Sequence, residues 1–186
     1  MTAADIVVIF LAAGRGSRFG GGKLAATLAG RPLARHLGDR LAALPFRRKL
    51  MICCEATPEV EGFERLALAP PGAPLSRSIA TGIGEIPQAC AALIALADMP
   101  LVPTSHIENL VRAFDGDRIA TCVAERAMVP AIFGSRHFPA LLSLQGDRGA
   151  AGLLLGAPAI PLEQQLALDV DTPEDLAQAE AIIQGR

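Results

Sequence analysis

The sequence predicts an α/β protein in which helices cover both faces of a mainly parallel sheet, giving three layers. Short apolar runs rich in β-branched residues alternate with longer segments whose leucines keep helical spacing. This alternation is typical of parallel sheets, because the chain must cross back along the sheet between parallel neighbours, usually as a helix. Residues 1–186 contain no internal repeat or linker-like stretch, so we predict a single domain.

The first strand and the first helix are the clearest elements. The run Ile6-Val-Val-Ile9 predicts a buried strand. Pro32 suits the first turn of a helix, Pro45 ends that helix, and leucines at positions 33, 37, 41 and 44 share one of its faces. Later strands are predicted at 50–54, around 66–68, and at 91–97, 119–123, 129–133 and 166–170. Later helices are predicted from 76, from a cap at 104 or 105 to 114, near 137–144 and 149–155, and from 173. The free N–H groups at the start of the helix from 76 favour an anion or a polar ligand.

The first strand leads into a basic, glycine-rich segment, residues 11–23, which reads LAAGRGSRFGGGK. Open α/β sheets bind ligands at the carboxyl ends of their strands. Glycines let backbone N–H groups close around an anion, while arginine and lysine add charge-assisted donors. The segment therefore predicts a phosphate-binding loop. The alternative is a glycine-rich connection whose basic residues are merely solvated.

Two common phosphate-binding motifs do not fit this loop. In the dinucleotide motif, Gly14 and Gly16 fit the first two glycine positions, but Phe19 occupies the third. In the P-loop motif that would end near Lys23, Ser17 stands where glycine is needed and Leu24 where serine or threonine is needed. The loop is thus of another type.

Asp98 is the second residue that indicates chemistry. It follows the apolar strand predicted at 91–97, and Pro100 prevents regular continuation of that strand. A carboxylate at this edge of the sheet faces the glycine-rich loop and suits a hard cation such as Mg²⁺. The alternative is an aspartate that only stabilises a turn or caps a helix.

Composition argues against several other classes of protein. A net charge of −2 and an aromatic content of 4%, without Trp or Tyr, argue against a nucleic-acid partner. The apolar run 6–13 is too short to span a membrane and lacks the basic flank of a signal peptide, so we predict no membrane partner and a cytoplasmic location. The four cysteines have no metal-binding spacing.

Several motifs together resemble a known family. The order of residues in the loop from Leu11 to Lys23, followed by Gly30-Arg-Pro-Leu33, is similar to the signature of the nucleotidyltransferases. Farther along the chain, the motifs resemble those of the molybdenum cofactor cytidylyltransferases, within the MobA-like NTP transferase superfamily. These motifs are ADMPLV at 97–102, LxxL at 141–144, GDRGA at 146–150 and DVDTPEDL at 169–176.

The resemblance implies a Rossmann-like nucleotidyltransferase fold and transfer of CMP from CTP to a phosphate-bearing acceptor, with release of pyrophosphate. The implied acceptor is molybdenum-molybdopterin cofactor, the implied metal is Mg²⁺, and a molybdenum hydroxylase would receive the product. Asp-Thr-Pro is also an ordinary helix start, so Asp171 or Thr172 is a candidate cap of the last helix. By residue match, the nucleotide would contact Leu11, Ala12, Ala13, Gly14, Gly16 and Ser78. Arg18 and Lys23 would hold the triphosphate and would be catalytic residues together with Asp98. Asp98 and Asp171 would hold the metal.

The chain departs from the family pattern mainly in the half expected to meet the acceptor. Met128-Val-Pro130 stands where Gly-His-Pro is usual, and Ala151 replaces an arginine. Phe19 replaces a methionine, and Pro74 replaces the glycine of Gly-Met-Ser-x-Ser. Two alternatives follow: a transferase for another acceptor, such as a sugar phosphate, or a non-catalytic molybdenum cofactor chaperone on the same fold.

Overall fold

Seven strands form one sheet in the computed structural model, which describes residues 1–14, 16–68, 73–146 and 149–185. Two further short strands form a separate hairpin. The sheet contains β1 (Ile6–Ala12), β4 (Arg48–Cys53), β5 (Glu64–Ala67), β6 (Ala91–Leu96), β7 (Arg118–Val123), β8 (Arg126–Gly134) and β9 (Ala159–Pro161), and the hairpin contains β2 (Thr27–Leu28) and β3 (Arg31–Pro32). The helices are α1 (Leu33–Ala43), α2 (Leu75–Gly84), α3 (Thr104–Ala113), α4 (Phe138–Leu142) and α5 (Pro173–Gln184).

The strand order is β5-β4-β1-β6-β8-β7-β9. The first four of these strands are parallel, β8 is antiparallel to both β6 and β7, and β9 is parallel to β7. Leu11 is opposite both Ile52 and Leu96, so the carboxyl ends of β1, β4 and β6 lie at one edge of the sheet. The prediction of an α/β fold with a mainly parallel sheet is confirmed.

Helices cover both faces of this sheet because every residue of β1 is buried and alternate side chains point to opposite sides. Val8 and Phe10 belong to one core cluster, which also contains residues of α1, α3 and α5. Ile9 and Leu11 belong to the other, which contains residues of α2 and α4. The central strand is therefore apolar on both faces.

The prediction of a strand at 166–170 is wrong. The chain forms a 3₁₀ turn at Gln164–Ala167 and then crosses to the strand edge, where the Val170 N–H donates to the Asp98 carbonyl at 2.9 Å. Its apolar residues pack against the core cluster on the α1 side of the sheet instead of pairing with a strand. The last strand is β9, which the sequence analysis did not predict.

The two helix starts with proposed caps behave differently. Neither Thr104 nor Ser105 caps α3, because both lie inside the helix and Pro103 precedes it. Thr172 does cap α5: its Oγ1 accepts a hydrogen bond from the Asp175 N–H, and the Asp175 carboxylate accepts one from the Thr172 N–H. Asp171, the other candidate for this cap, is thereby left outside it.

Among the described residues, no helix is both long enough and apolar enough to cross a membrane. The single-domain organisation of residues 1–186 remains a prediction.

Candidate functional site

A threonine that the sequence analysis did not single out fixes the carboxyl end of β1. Thr57 is buried in the loop after β4, and its Oγ1 donates to the Ala12 carbonyl at 3.0 Å. The same oxygen accepts a hydrogen bond from the Cys54 N–H at 3.1 Å. Ala13 and Gly14 therefore leave the strand from a fixed position.

The glycine-rich loop closes on the Gly16 carbonyl, which accepts hydrogen bonds from the N–H groups of Phe19 at 3.0 Å and Gly21 at 3.1 Å. Gly16 has a φ of +55°, and a Cβ there would lie 2.9 Å from the Cβ of Lys23. Only glycine permits this close approach without displacement. Two amides of the loop are therefore used to close the loop itself and are not available to an anion.

Lys23 lies at the centre of the site. Its side chain is only 6% exposed, and its Nζ donates to Asp98 Oδ2 at 2.7 Å and to Asp171 Oδ1 at 2.9 Å. Burial alone would lower the pKa of Lys23, but the carboxylates of Asp98 and Asp171 outweigh this effect and raise it. Lys23 is therefore charged, and it pairs with both residues that the sequence analysis predicted as metal ligands.

A third carboxylate completes an acidic triad. One carboxylate oxygen from each of Asp98, Asp169 and Asp171 lies within 4.8 Å of the others. Asp169 is an exposed residue, yet partial loss of hydration around its carboxyl group and the negative charge of Asp98 raise the pKa of Asp169 to about 7. In an extended segment, residues two apart face the same side, so the spacing of Asp169 and Asp171 around the buried Val170 could have revealed this triad.

The triad fits a divalent cation. Asp98 Oδ1 is buried, and no described residue donates a hydrogen bond to it unless the Asp169 carboxyl group is protonated. A buried carboxylate oxygen without a donor is costly, and a hard cation would satisfy it. The neighbouring oxygens of Asp169 and Asp171 supply further ligands of the type that Mg²⁺ and Mn²⁺ prefer.

The loop and two carboxylates of the triad, those of Asp98 and Asp171, line one cleft of about 550 Å³, a size suited to a small-molecule ligand. Ala12 does not line it, since its side chain packs with the cluster on the opposite face of β1. The residues predicted from sequence that do line this cleft are Leu11, Ala13, Gly14, Gly16, Arg18, Lys23, Ser78, Asp98 and Asp171.

The start of α2 differs in one respect from the expectation. Ser78 is buried and lines the cleft. However, the Ser76 N–H donates to the Gly146 carbonyl at 3.2 Å and the Ser78 N–H to the Pro74 carbonyl at 3.4 Å. The expectation that these amides are free for an anion is wrong. The hydroxyl of Ser78 is the better candidate contact, and Asp147 and Arg148 of the GDRGA motif lie outside the described residues.

A parallel-sheet fold with a cationic loop facing a carboxylate at a strand end defines a class of α/β proteins that bind nucleotides at this edge. Sequence comparison identifies the particular family. The chain belongs to the family described as "MobA-like NTP transferase domain", whose sequence profile matches residues 8–163. This is a family of nucleotidyltransferases, and its members commonly use divalent metals.

Individual proteins are similar to this chain in sequence or in fold. The chain is 29% identical over 205 residues to purine catabolism protein PucB of Bacillus subtilis, an alignment that covers 94% of this chain and 96% of PucB. The structure of an Rv0371c homologue from Mycobacterium sp. strain JC1 superposes with a TM-score of 0.85 at 21% identity and covers 98% of both chains. The molybdopterin-guanine dinucleotide biosynthesis protein A of Archaeoglobus fulgidus superposes with a TM-score of 0.72 at 19% identity, covering 97% of this chain and all of that one (100%).

Proposed function

We propose that this protein transfers CMP from CTP to a phosphate-bearing acceptor, molybdenum-molybdopterin cofactor, and releases pyrophosphate. The observation that carries this proposal is the contact of Lys23 and Arg18 with the carboxylates of Asp98 and Asp171 in one cleft, beside Asp169. The cations suit a triphosphate, and the carboxylates suit the metal that accompanies it. The product cofactor would pass to a molybdenum hydroxylase.

The proposed reaction needs little acid–base chemistry from the protein. An oxygen of the acceptor phosphate attacks the α-phosphorus of CTP, and the bond from that phosphorus to the bridging oxygen breaks, so pyrophosphate leaves with the electron pair. A phosphate monoester has its second pKa near ~6 and is already largely dianionic at neutral pH. The barrier is therefore mainly charge repulsion, which positioned cations lower.

Each residue has a defined part in this proposal. Lys23 and Arg18 would hold the triphosphate and stabilise charge on the departing pyrophosphate. Asp98, Asp169 and Asp171 would hold Mg²⁺, which supplies Lewis-acid stabilisation of the phosphate oxygens when bound. Ser78 and the backbone from Leu11 to Gly14 would position the nucleoside.

The choice of acceptor and base has separate support. The motifs at 146–150 and 169–176 resemble those of the molybdenum cofactor cytidylyltransferases, and one structural neighbour is described as acting in molybdopterin-guanine dinucleotide biosynthesis. The methyl group of Ala13 lines the cleft beside Gly14, which favours the smaller pyrimidine over a purine.

The direct test measures pyrophosphate release from CTP, GTP, ATP and UTP, each with Mg²⁺. Every nucleotide is assayed with molybdenum-molybdopterin cofactor, with a panel of sugar phosphates, and without an acceptor. We expect release from CTP only when the molybdenum cofactor is present, together with a CMP-cofactor adduct detected by mass spectrometry.

Other outcomes identify the alternatives. Release with a sugar phosphate alone would keep the nucleotidyltransferase and replace the acceptor. Tight binding of the molybdenum cofactor without release from any nucleotide would contradict the enzymatic proposal and favour the cofactor chaperone.

A further inference from the structure

Two of the three carboxylates proposed to hold the metal, those of Asp98 and Asp171, already pair with side-chain cations. Lys23 Nζ contacts Asp98 Oδ2 and Asp171 Oδ1, and Arg18 contacts Asp171 Oδ2 at 2.9 Å. Of the four oxygens of Asp98 and Asp171, only Asp98 Oδ1 lacks such a partner among the described residues. A metal ion that binds both aspartates therefore competes with one of the two basic side chains for an oxygen of Asp171.

The two basic side chains differ in how firmly they are held. The Arg18 side chain is 76% exposed, so its ion pair with Asp171 contributes little and is easily exchanged for water. The Lys23 side chain is 6% exposed and bridges both carboxylates, so it loses more if it is displaced without another partner. Lys23 is thus the stronger competitor of the metal.

We propose that Lys23 acts as a placeholder cation in the nucleotide-free protein. It holds Asp98 and Asp171 together and disfavours binding of a metal ion alone, and it turns to the triphosphate when the nucleotide arrives. Metal and triphosphate therefore bind with positive coupling, because each makes room for the other. This inference rests on the proposed function only in assuming that the loop binds a triphosphate.

Electrostatics explains why a placeholder is needed. Without a nearby cation, the clustered carboxylates of the triad repel each other in a partly buried position. Lys23 neutralises part of this charge in the free protein. In the complex, the metal would neutralise the carboxylates, while Lys23 would neutralise phosphate charge.

The first experiment measures binding of Mn²⁺ alone by electron paramagnetic resonance, without nucleotide or acceptor. Lys23→Met removes the charge and keeps an unbranched side chain. We expect it to bind Mn²⁺ about tenfold more tightly than wild type, within the range usual for linked sites. Arg18→Ala is the matched control, since it removes a charge from the same carboxylate, and we expect a much smaller change because its pair is exposed.

The second experiment follows Lys23 directly in the wild-type protein. The chain has only two lysines, Lys23 and Lys49, so labelling lysine with ¹³C at Cε gives two side-chain signals. Lys49 donates to the Ala42 carbonyl away from the cleft and serves as the internal control. We expect inorganic tripolyphosphate to shift the Lys23 signal and not the Lys49 signal. When Mg²⁺ and tripolyphosphate are added together, we expect the Lys23 signal to shift at lower concentrations than with either one alone.

Two results would overturn the proposal. One is an Mn²⁺ affinity of Lys23→Met equal to that of wild type or changed no more than in Arg18→Ala. The other is a Lys23 signal that does not respond to tripolyphosphate and Mg²⁺ together, a measurement that needs no variant to fold. Neither experiment involves CTP, an acceptor or turnover, so the placeholder role and the cytidylyltransferase proposal can fail separately.

Discussion

At the scale of single residues, the methyl group of Ala13 bears on which nucleotide base the cleft accepts. Ala13 follows β1 and is 4% exposed, and its side chain lies on the cleft side of the strand end. A purine is larger than a pyrimidine, so a Cβ at this point presses against it or displaces it. Glycine at position 13 would relieve that contact.

We therefore predict that Ala13→Gly improves use of GTP relative to CTP. One such contact contributes roughly 1–3 kcal/mol of discrimination, so a partial shift is expected without full reversal. Ala12→Gly is the matched control, because it loosens the neighbouring residue while its side chain faces away from the cleft. Competition between the two nucleotides measures the ratio. A wild-type preference for GTP, or equal ratios in both variants, would remove the support for a pyrimidine.

Lys23 shows what the sequence can and cannot reveal about one residue. Its position after three glycines indicates a basic side chain near an anion, but it also suggests an exposed side chain whose truncation costs little. The structure buries it between Asp98 and Asp171, which are 75 and 148 positions away along the chain. Burial of this kind depends on long-range packing, so no local pattern could predict it.

At the scale of elements, close packing of α2 on β1 sets the position of Ser78. Gly82 faces Ile9, and a Cβ at Gly82 would lie 2.6 Å from Ile9 Cγ2. Gly84, at the end of the same helix, has no atom within 4 Å of such a Cβ. The two glycines therefore differ in packing although they share one helix.

We predict that Gly82→Ala lowers the free energy of unfolding by roughly 1–3 kcal/mol, as is usual for overpacking. Gly84→Ala should leave it unchanged or raise it by up to about 1 kcal/mol, since alanine favours helix and meets open space. Urea unfolding of both variants measures the difference. Equal effects would contradict the packing of α2 described above.

At the scale of the whole molecule, the alternation of apolar runs and helical segments was enough to predict the mainly parallel sheet. The error at 166–170 has a physical cause: residues that cross the core cluster are as apolar as residues of a buried strand. β9 was missed because it has only three residues and ends in proline. Its place beside β7 depends on a pairing between residues far apart in sequence.

The residues of the candidate site were likewise only partly predictable from the sequence. The loop and Asp98 stand at strand ends, so the topology of a parallel sheet brings them together. The contribution of Asp169 and the support from Thr57 depend on how distant segments meet, through Val170 at Asp98 and Thr57 at Ala12. Motif resemblance indicated Asp171 but gave Asp169 no role.

The most direct test of the central claim is the Mg²⁺ dependence of CMP transfer in wild type and in Asp98→Asn. Asparagine keeps the shape of the side chain but removes the negative charge that attracts the cation. We predict that wild type is inactive in EDTA and regains activity with Mg²⁺, and that Asp98→Asn is slower and needs a higher Mg²⁺ concentration. If Asp98→Asn responds to Mg²⁺ as wild type does, Asp98 holds no metal and the proposed site is wrong.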